Sequence, residues 1–361
     1  MPLLFDAHLD LAWNATSFNR DLTLPLDELR LREQTMNDVP GRGRCVLTLP
    51  ELRRAKVAVC VATLLARCGV EQKPQAGYLR TDLEHATPSI ASAAAQAQLA
   101  YYRELEDAGH VRFISTAAEL AAHWQTYQAA PDTTPLGIII SMEGADPIVA
   151  PRHLAAWHRQ GLRALGLSHY GRGRYAYGTS VDGPLGELTP ELLLEMARLH
   201  VALDVTHLSD ISMAQAVAMF DGPLLASHHN CRALVPGDRQ LSDEQIRMLV
   251  RRDAVIGVAL DAWMMLPGWQ RGVTQPEAVG LGAAADHIDH VCQLAGSARH
   301  SGIGSDLDGG FGNEQTPREL RVYGDIQRLA EILSQRGYSD PDIDAIFHGN
   351  FLRLFGRILG A

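Results

Sequence analysis

Almost at its start the chain carries a histidine and an aspartate two residues apart, in Leu3-Leu4-Phe5-Asp6-Ala7-His8-Leu9-Asp10. In a β-strand residues i and i+2 point the same way, so the His8 imidazole and the Asp10 carboxylate can reach one cation. If a metal site begins there, other strands must end in complementary groups. The sequence offers Glu143 in Ser-Met-Glu-Gly, His169 in Leu-Ser-His-Tyr, His207 in Asp-Val-Thr-His, His228 in Ala-Ser-His and Asp306 in Gly-Ser-Asp-Leu-Asp-Gly, each behind a short apolar run. Imidazole and carboxylate are ordinary ligands of Zn²⁺, and this set exceeds one tetrahedral site. A carboxylate such as Glu143 can bridge two ions, and a hydroxide held between them is a strong nucleophile near neutral pH. The chemistry that follows is metal-assisted hydrolysis of an amide or ester.

Taken singly, each residue has a plainer explanation. A strand-end histidine is commonly a hydrogen-bonded structural residue, Glu143 alone could cap a helix, and Asp306 or Asp308 alone could form a turn. Their joint placement at the same end of successive strands is what favours a metal centre. His85, His110, His123, His153, His158, His200, His287, His290, His300 and His348 lack that context and are read as structural. His229 sits beside His228, and strand alternation lets only one of the two face inward; His228 is chosen. Arg172, Arg174, Arg232 and Arg239 follow the fourth and sixth strands, where a guanidinium can grip a substrate carboxylate bidentately, and spacing alone does not choose among them.

These groups need a scaffold that brings strand ends together. Aliphatic runs at 3–7, 56–65, 136–142, 163–168, 201–206, 223–227, 254–260 and 301–305 alternate with helical patterns, as parallel βα units require. Eight such strands predict a closed (β/α)8 TIM-like barrel with loop insertions, whose active site lies at the C-terminal strand ends. Helix starts fall between the strands: Thr116 to Glu119 and Ser242 to Gln245 have capping-box spacing, and Thr189-Pro190 and Thr316-Pro317 place a proline at the first helical position. The polar stretch 66–88 reads as an excursion from the second strand to an Ala-rich helix ending at Gly109. No repeat or hinge divides the chain, so residues 1–361 are expected to form one barrel domain. A doubly wound sheet is the alternative, but no G-x-G-x-x-G follows the first strand.

The 361 residues are 46% hydrophobic and 20% charged, an ordinary globular composition, and the net charge of −10 argues against a nucleic-acid partner. Before Arg20 there is no basic leader, and no apolar run approaches the length of a spanning helix, so a cytoplasmic protein is expected. The five cysteines, odd in number and never in a C-x-x-C pair, read as reduced thiols.

The succession His8-x-Asp10, Met142-Glu143-Gly144, Leu167-Ser168-His169, Asp204-x-Thr206-His207-x-Ser209, Ala226-Ser227-His228, Arg239 and Gly304-Ser305-Asp306-x-Asp308-Gly309 resembles the membrane (renal-type) dipeptidases, peptidase family M19 of the amidohydrolase superfamily. The resemblance extends to the closing Gly349-Asn350-Phe351-Leu352-Arg353-Leu354-Phe355, essentially the whole chain. It implies a (β/α)8 barrel with two zinc ions, His8 and Asp10 on one, His207 and His228 on the other, and Glu143 between them. It further implies that His169 polarises the scissile carbonyl, that Arg239 binds the substrate's C-terminal carboxylate, and that Asp306 takes a proton from the attacking water and delivers it to the leaving amine. The implied substrates are dipeptides, including those with a D-residue at the C-terminal position. With the chain ending in Ile358-Leu-Gly-Ala361, the mammalian relatives' lipid anchor is not expected here; the resemblance is to the soluble bacterial branch, which implies a homodimer. One departure is Tyr170-Gly-Arg-Gly-Arg-Tyr-Ala-Tyr177, rich in Arg and Tyr. It keeps a second expectation open, a hydrolase of an N-acyl amino acid, lactam or biosynthetic peptide derivative. A catalytically silent binding barrel is the third.

Overall fold

The computed structural model describes residues 1–39, 41–68 and 83–360. Eight parallel strands form the barrel: β1 (Leu4–Leu9), β2 (Val57–Leu65), β3 (Leu136–Glu143), β4 (Leu162–Gly166), β5 (Ala202–Asp204), β6 (Leu224–Leu225), β7 (Ile256–Val258) and β8 (Ser301–Ile303). Neighbours in sequence are neighbours in the sheet, β8 pairs with β1, and an Ala226–Ile256 bridge joins the β6 and β7 edges to close the ring. All eight expected strands are present. Gly257 and Gly304 permit the closure, because a Cβ on either would stand 2.0 or 1.7 Å from the Ser227 carbonyl oxygen.

Two features depart from expectation. A ninth strand, Val111–Phe113, pairs with the N-terminal half of β3, whose C-terminal half pairs with β4. No helix starts at Pro317: the Thr316 hydroxyl donates forward to the Leu320 carbonyl at 2.8 Å instead of capping, and Leu320 N–H closes a turn onto Pro317 at 2.8 Å. The other helix starts hold. Thr116 and Ser242 make full capping boxes, and Pro190 lies in the first turn of Thr189–Arg198. The Ala-rich helix spans Pro88–Asp107, with Gly109 beyond it at φ 77°. Of the excursion that precedes it, residues 69–82 lie outside the described residues. All five cysteines are buried and unbridged.

Strand alternation sorts the barrel interior into layers. At the bottom, Val59, Val61, Ile139 and Leu225 pack with Phe5, which stacks on Phe351 and Phe355 of the closing helix Asn350–Ile358 at 5.7 and 5.4 Å. Two residues further along β2 and β3 come hydroxyls, Thr63 and Ser141, 3.1 Å apart. Two further on, β3 ends in Glu143. The stacking of an apolar floor, a hydroxyl layer and an ionisable layer is therefore a direct consequence of period-two sequence in each strand.

Candidate metal and catalytic centre

β1 reaches the ionisable layer by a register change. Asp6 pairs with Cys60 and Leu9 with Ala62, so β1 spends one residue more than β2 over that stretch, a β-bulge. The bulge reverses the alternation: Phe5 and Ala7 face the barrel floor, while His8, not its neighbour Leu9, joins the site. His8 Nε2 lies 3.7 Å from Asp10 Oδ2, 3.7 Å from Glu143 Oε2 and 3.8 Å from Asp306 Oδ1. Across Glu143, His207 Nε2 and His228 Nε2 stand 3.2 and 3.3 Å from its Oε1 and 3.2 Å from each other. Two of the groupings close enough to share a cation are His8, Asp10, Glu143 and Glu143, His207, His228; a third is His8, His228, Asp306. Glu143 belongs to both of the first two.

Buried polar atoms without partners test whether a cation fits. His8 Nε2, Asp10 Oδ1 and Glu143 Oε1 are such atoms, and they converge. Leaving groups of this kind unsatisfied costs about 1–3 kcal/mol each, more when charged, so an ion is the chemistry that this donor set accommodates. On the far side of each ring a hydroxyl waits: Thr179 Oγ1 at 2.9 Å from His207 Nδ1, Ser227 Oγ at 2.8 Å from His228 Nδ1, and Thr63 and Ser227 hydroxyls each 3.5 Å from His8 Nδ1. Such partners orient a ligating imidazole.

The remaining expected residues fall around the same point. His169 Nε2 is 3.9 Å from Glu143 Oε2. Arg239 is buried, donates from Nη2 to the His228 carbonyl at 3.0 Å, and leaves Nη1 without a partner. A cavity of about 810 Å³ opens over the centre, lined by Asp10, Glu143, His169, His207, His228, Arg239 and Asp306 and walled by Trp13, Phe18, Leu65, Trp263 and Phe311. Of the four arginines weighed from sequence, only Arg239 lines it. Arg232 pairs with Asp210 near the surface at 2.8 Å, and Arg172 lies over the Tyr177 ring. In the Arg- and Tyr-rich segment only Tyr170 lines the cavity, while Tyr175 is buried with its hydroxyl on the Ile148 carbonyl. His229 is buried with its ring against the Arg239 main chain and belongs to none of the groupings close enough to share a cation.

The family model for membrane dipeptidases, peptidase family M19, matches residues 2–359. The chain belongs to this family. Dipeptidase aclJ of Aspergillus oryzae is 28% identical over 209 residues, 57% of this chain and 47% of that protein. Dipeptidase tcpJ of Claviceps purpurea is 27% identical over the same shares, so the chain matches about half the length of these fungal relatives. An uncharacterized protein of Klebsiella pneumoniae, from the pqqA 5′ region, is 26% identical over 72% of this chain and 94% of its own. Among solved structures, a metallopeptidase from Rhodobacter sphaeroides liganded with a phosphinate mimic of L-Ala-D-Ala superposes with a TM-score of 0.79 at 23% identity over 99% of both chains. The M19 dipeptidase AC gives 0.79 at 24% identity over 100% of this chain and 99% of that one. The TIM-like barrel is thus the M19 fold, and the chain is a member of a family of metallo-dipeptidase hydrolases. Among the described residues, no helix is long and apolar enough to cross a membrane.

Electrostatics divides this M19 centre in two. Burial works against a charged His8, but the Glu143 and Asp10 carboxylates outweigh it and hold the imidazole up at about 10. Glu143 is pushed up to about 8 by burial, against the pull of His8, and burial raises Asp306 well above the usual carboxylate range. His207 and His228 are held well below the ordinary imidazole value, by burial first and then by neighbouring cations, Arg239 among them. A buried cluster of carboxylates that retains protons is one in which a cation would take their place.

Sequence reasoning missed three contributors. Asp6 accepts from His8 N–H at 3.0 Å and from Ser305 N–H at 3.0 Å, tying β1 to β8. Asp204 does the same for Thr206 N–H at 3.0 Å and Ser227 N–H at 3.1 Å, tying β5 to β6. Their signal was present as an aspartate two or three residues before a site histidine. Arg67, whose Nη1 meets His169 Nδ1 at 3.0 Å, left no such signal.

Proposed function

We propose that the chain is a binuclear zinc dipeptidase that hydrolyses the peptide bond of dipeptides, including those with a D-residue at the C-terminal position. The observation that carries this reading is the convergence of His8, Asp10, Glu143, His207 and His228, with unpaired ligand atoms among them, beneath a cavity that also holds the free Nη1 of Arg239. His8 and Asp10 would hold one ion, His207 and His228 the other, and Glu143 both. Such ions, when bound, would supply a nucleophile from water at neutral pH and neutralise charge that develops in the transition state.

The protein's own groups do the rest. Arg239 Nη1, buried and unpaired, can take the substrate's carboxylate, which sets the peptide bond over Glu143. His169, kept neutral by its burial and by the charges of Arg67 and Arg239, can donate a hydrogen bond to the carbonyl oxygen as it gains negative charge. Asp306, raised by burial and facing the cavity, is suited to hold the proton released by water and pass it to the leaving nitrogen. Since only Tyr170 of the segment 170–177 lines the cavity, that segment does not favour another substrate class. Zinc analysis of the purified protein, with hydrolysis of a panel of L-Xaa-L-Xaa and L-Xaa-D-Xaa dipeptides, tests the reading. Zinc together with cleavage is expected; a zinc-loaded protein that cleaves none of them overturns it.

A further inference from the structure

The imidazoles around Glu143 fall into two kinds according to what their Nδ1 atoms face. Those of His8, His207 and His228 face hydroxyls of Thr63, Thr179 and Ser227. A hydroxyl oxygen can accept a hydrogen bond from Nδ1–H, which leaves the lone pair of Nε2 for a cation. The Nδ1 of His169 faces Nη1 of Arg67 at 3.0 Å instead. A guanidinium has donors only, so this nitrogen must accept, and the single proton of the neutral ring belongs on Nε2, the atom turned toward Glu143.

We propose that Arg67 is a positioning residue that holds His169 in its Nε2–H tautomer, so that His169 serves the reaction as a hydrogen-bond donor and not as a base or metal ligand. The proposal rests on the hydrolase reading above for the identity of the acceptor, the carbonyl oxygen of the scissile bond. The fold is organised to place this guanidinium. Arg67–Cys68 and Glu84–His85 form a two-residue parallel ladder at the base of the excursion, and Arg67 N–H donates to the Leu83 carbonyl at 2.8 Å. The Glu84 carboxylate takes the Nη2 side of the guanidinium. Asp146, three residues past Glu143, accepts from Cys68 N–H at 2.8 Å with one oxygen and from Arg174 N–H at 3.0 Å with the other. One carboxylate thus binds together the end of β3, the foot of the excursion and the loop that follows His169. With Nδ1 accepting from the guanidinium, the proton of the ring is confined to Nε2, and that placement decides what the ring can do.

The test uses the zinc-loaded full chain, the best-cleaved dipeptide of the panel, and the variants R67L, R67K, H169L and R67L/H169L. R67L is expected to lower kcat by up to the cost of removing one oxyanion donor, on the order of 10²–10³-fold, with KM little changed. R67K is expected to restore most of the loss, because an ammonium is also a donor only. R67L should cost nothing further in the H169L background. Ring ¹⁵N spectra, with the His169 signals assigned by their loss in H169L, should report Nε2–H in the parent and a tautomer mixture in R67L. Parental kcat in R67L, additive losses in the double variant, or Nδ1–H in the parent would overturn the proposal. The spectra need no substrate, so absence of dipeptide cleavage overturns the functional reading while the tautomer assignment is still decided by them.

Discussion

The two sides of the centre are built on the same backbone device and filled with opposite chemistry. At β1 and β8, Asp6 ties His8 N–H to Ser305 N–H; at β5 and β6, Asp204 ties Thr206 N–H to Ser227 N–H. In each pair one functional residue follows the tie in the left-handed region, Asp306 at φ 57° and His207 at φ 67°. Such backbone costs about 1–3 kcal/mol where no glycine relieves it, and persists when surrounding bonds fix it. The side chains then diverge. The first side gathers Asp10 and Asp306 around one imidazole and holds protons; the second sets two imidazoles against one shared carboxylate and sheds them. A common frame can therefore present two sites of different charge to two ions, and the carboxylate-rich side is also the one to which the proposed function assigns the proton carrier.

The largest effect should come from Asp306, to which the proposed function gives the proton transfer on the β1 side. Asp306→Asn is expected to lower kcat by about 10²–10⁴-fold, the usual worth of a general acid-base group, while zinc content stays at the parental level. Loss of zinc in proportion to activity would make Asp306 a ligand and erase the distinction. Next, His8→Ala should deplete one ion before the other under mild chelation, and His207→Ala should deplete the other; equal loss of both in either variant would show that Glu143 couples the two sides into one.

Acidity sharpens the same contrast. Below about 10 the metal-free His8 carries a proton that an incoming cation must displace, so this proton alone should weaken cation binding at the β1 side by about tenfold for each unit of acidification across the neutral range, beyond what the shared Glu143 contributes at both sides. His207 and His228, held well below the ordinary imidazole value, are already neutral there, so binding at their side displaces only the proton of the shared Glu143, pushed up to about 8, and should fall less steeply than at the β1 side. Calorimetric zinc titration of the metal-free protein at several pH values, with proton release read from buffers of different ionisation enthalpy, checks both slopes. Smaller again, Thr179→Val removes the hydroxyl behind His207 and should weaken metal affinity at that side alone, by about 10–100-fold.

Much of this was legible in the residues. Apolar runs of strand length marked all eight barrel strands, and the ionisable residues closing six of them marked the centre, because barrel strands deliver their C-terminal ends to one place. Three things were not legible, each for a physical reason. The β1 bulge is a pairing irregularity between strands, and His8 and Asp10 keep the same spacing with or without it. Arg67 acts through a contact with His169, 102 positions away, and a loop arginine alone looks like a solvated one. Thr316-Pro317 carries a helix-start pattern, but the Thr316 hydroxyl finds the Leu320 carbonyl first.

A last effect, on stability and not on activity or metal, concerns the ties themselves. Asp6 receives two donors beyond its backbone pair, the Ser305 hydroxyl and the Tyr323 hydroxyl, the latter at 2.5 Å, whereas Asp204 Oδ1 is served by backbone N–H groups. Burial raises the Asp6 carboxyl above its ordinary value, and these donors act against that shift. A folded-state value above the unfolded one means that Asp6 favours folding most below about 3.8 and loses that contribution as pH rises through the folded value. Tyr323→Phe removes a donor to the charged form and should cost about 1.5–3 kcal/mol at neutral pH. The cost should shrink toward pH 4, as Asp6 becomes protonated in both proteins. Denaturant midpoints of parent and variant at pH 7 and pH 4.5 measure it. A gap that stays constant with pH would assign the loss to packing around the Tyr323 ring, and the two ties would then differ in surroundings but not in charge.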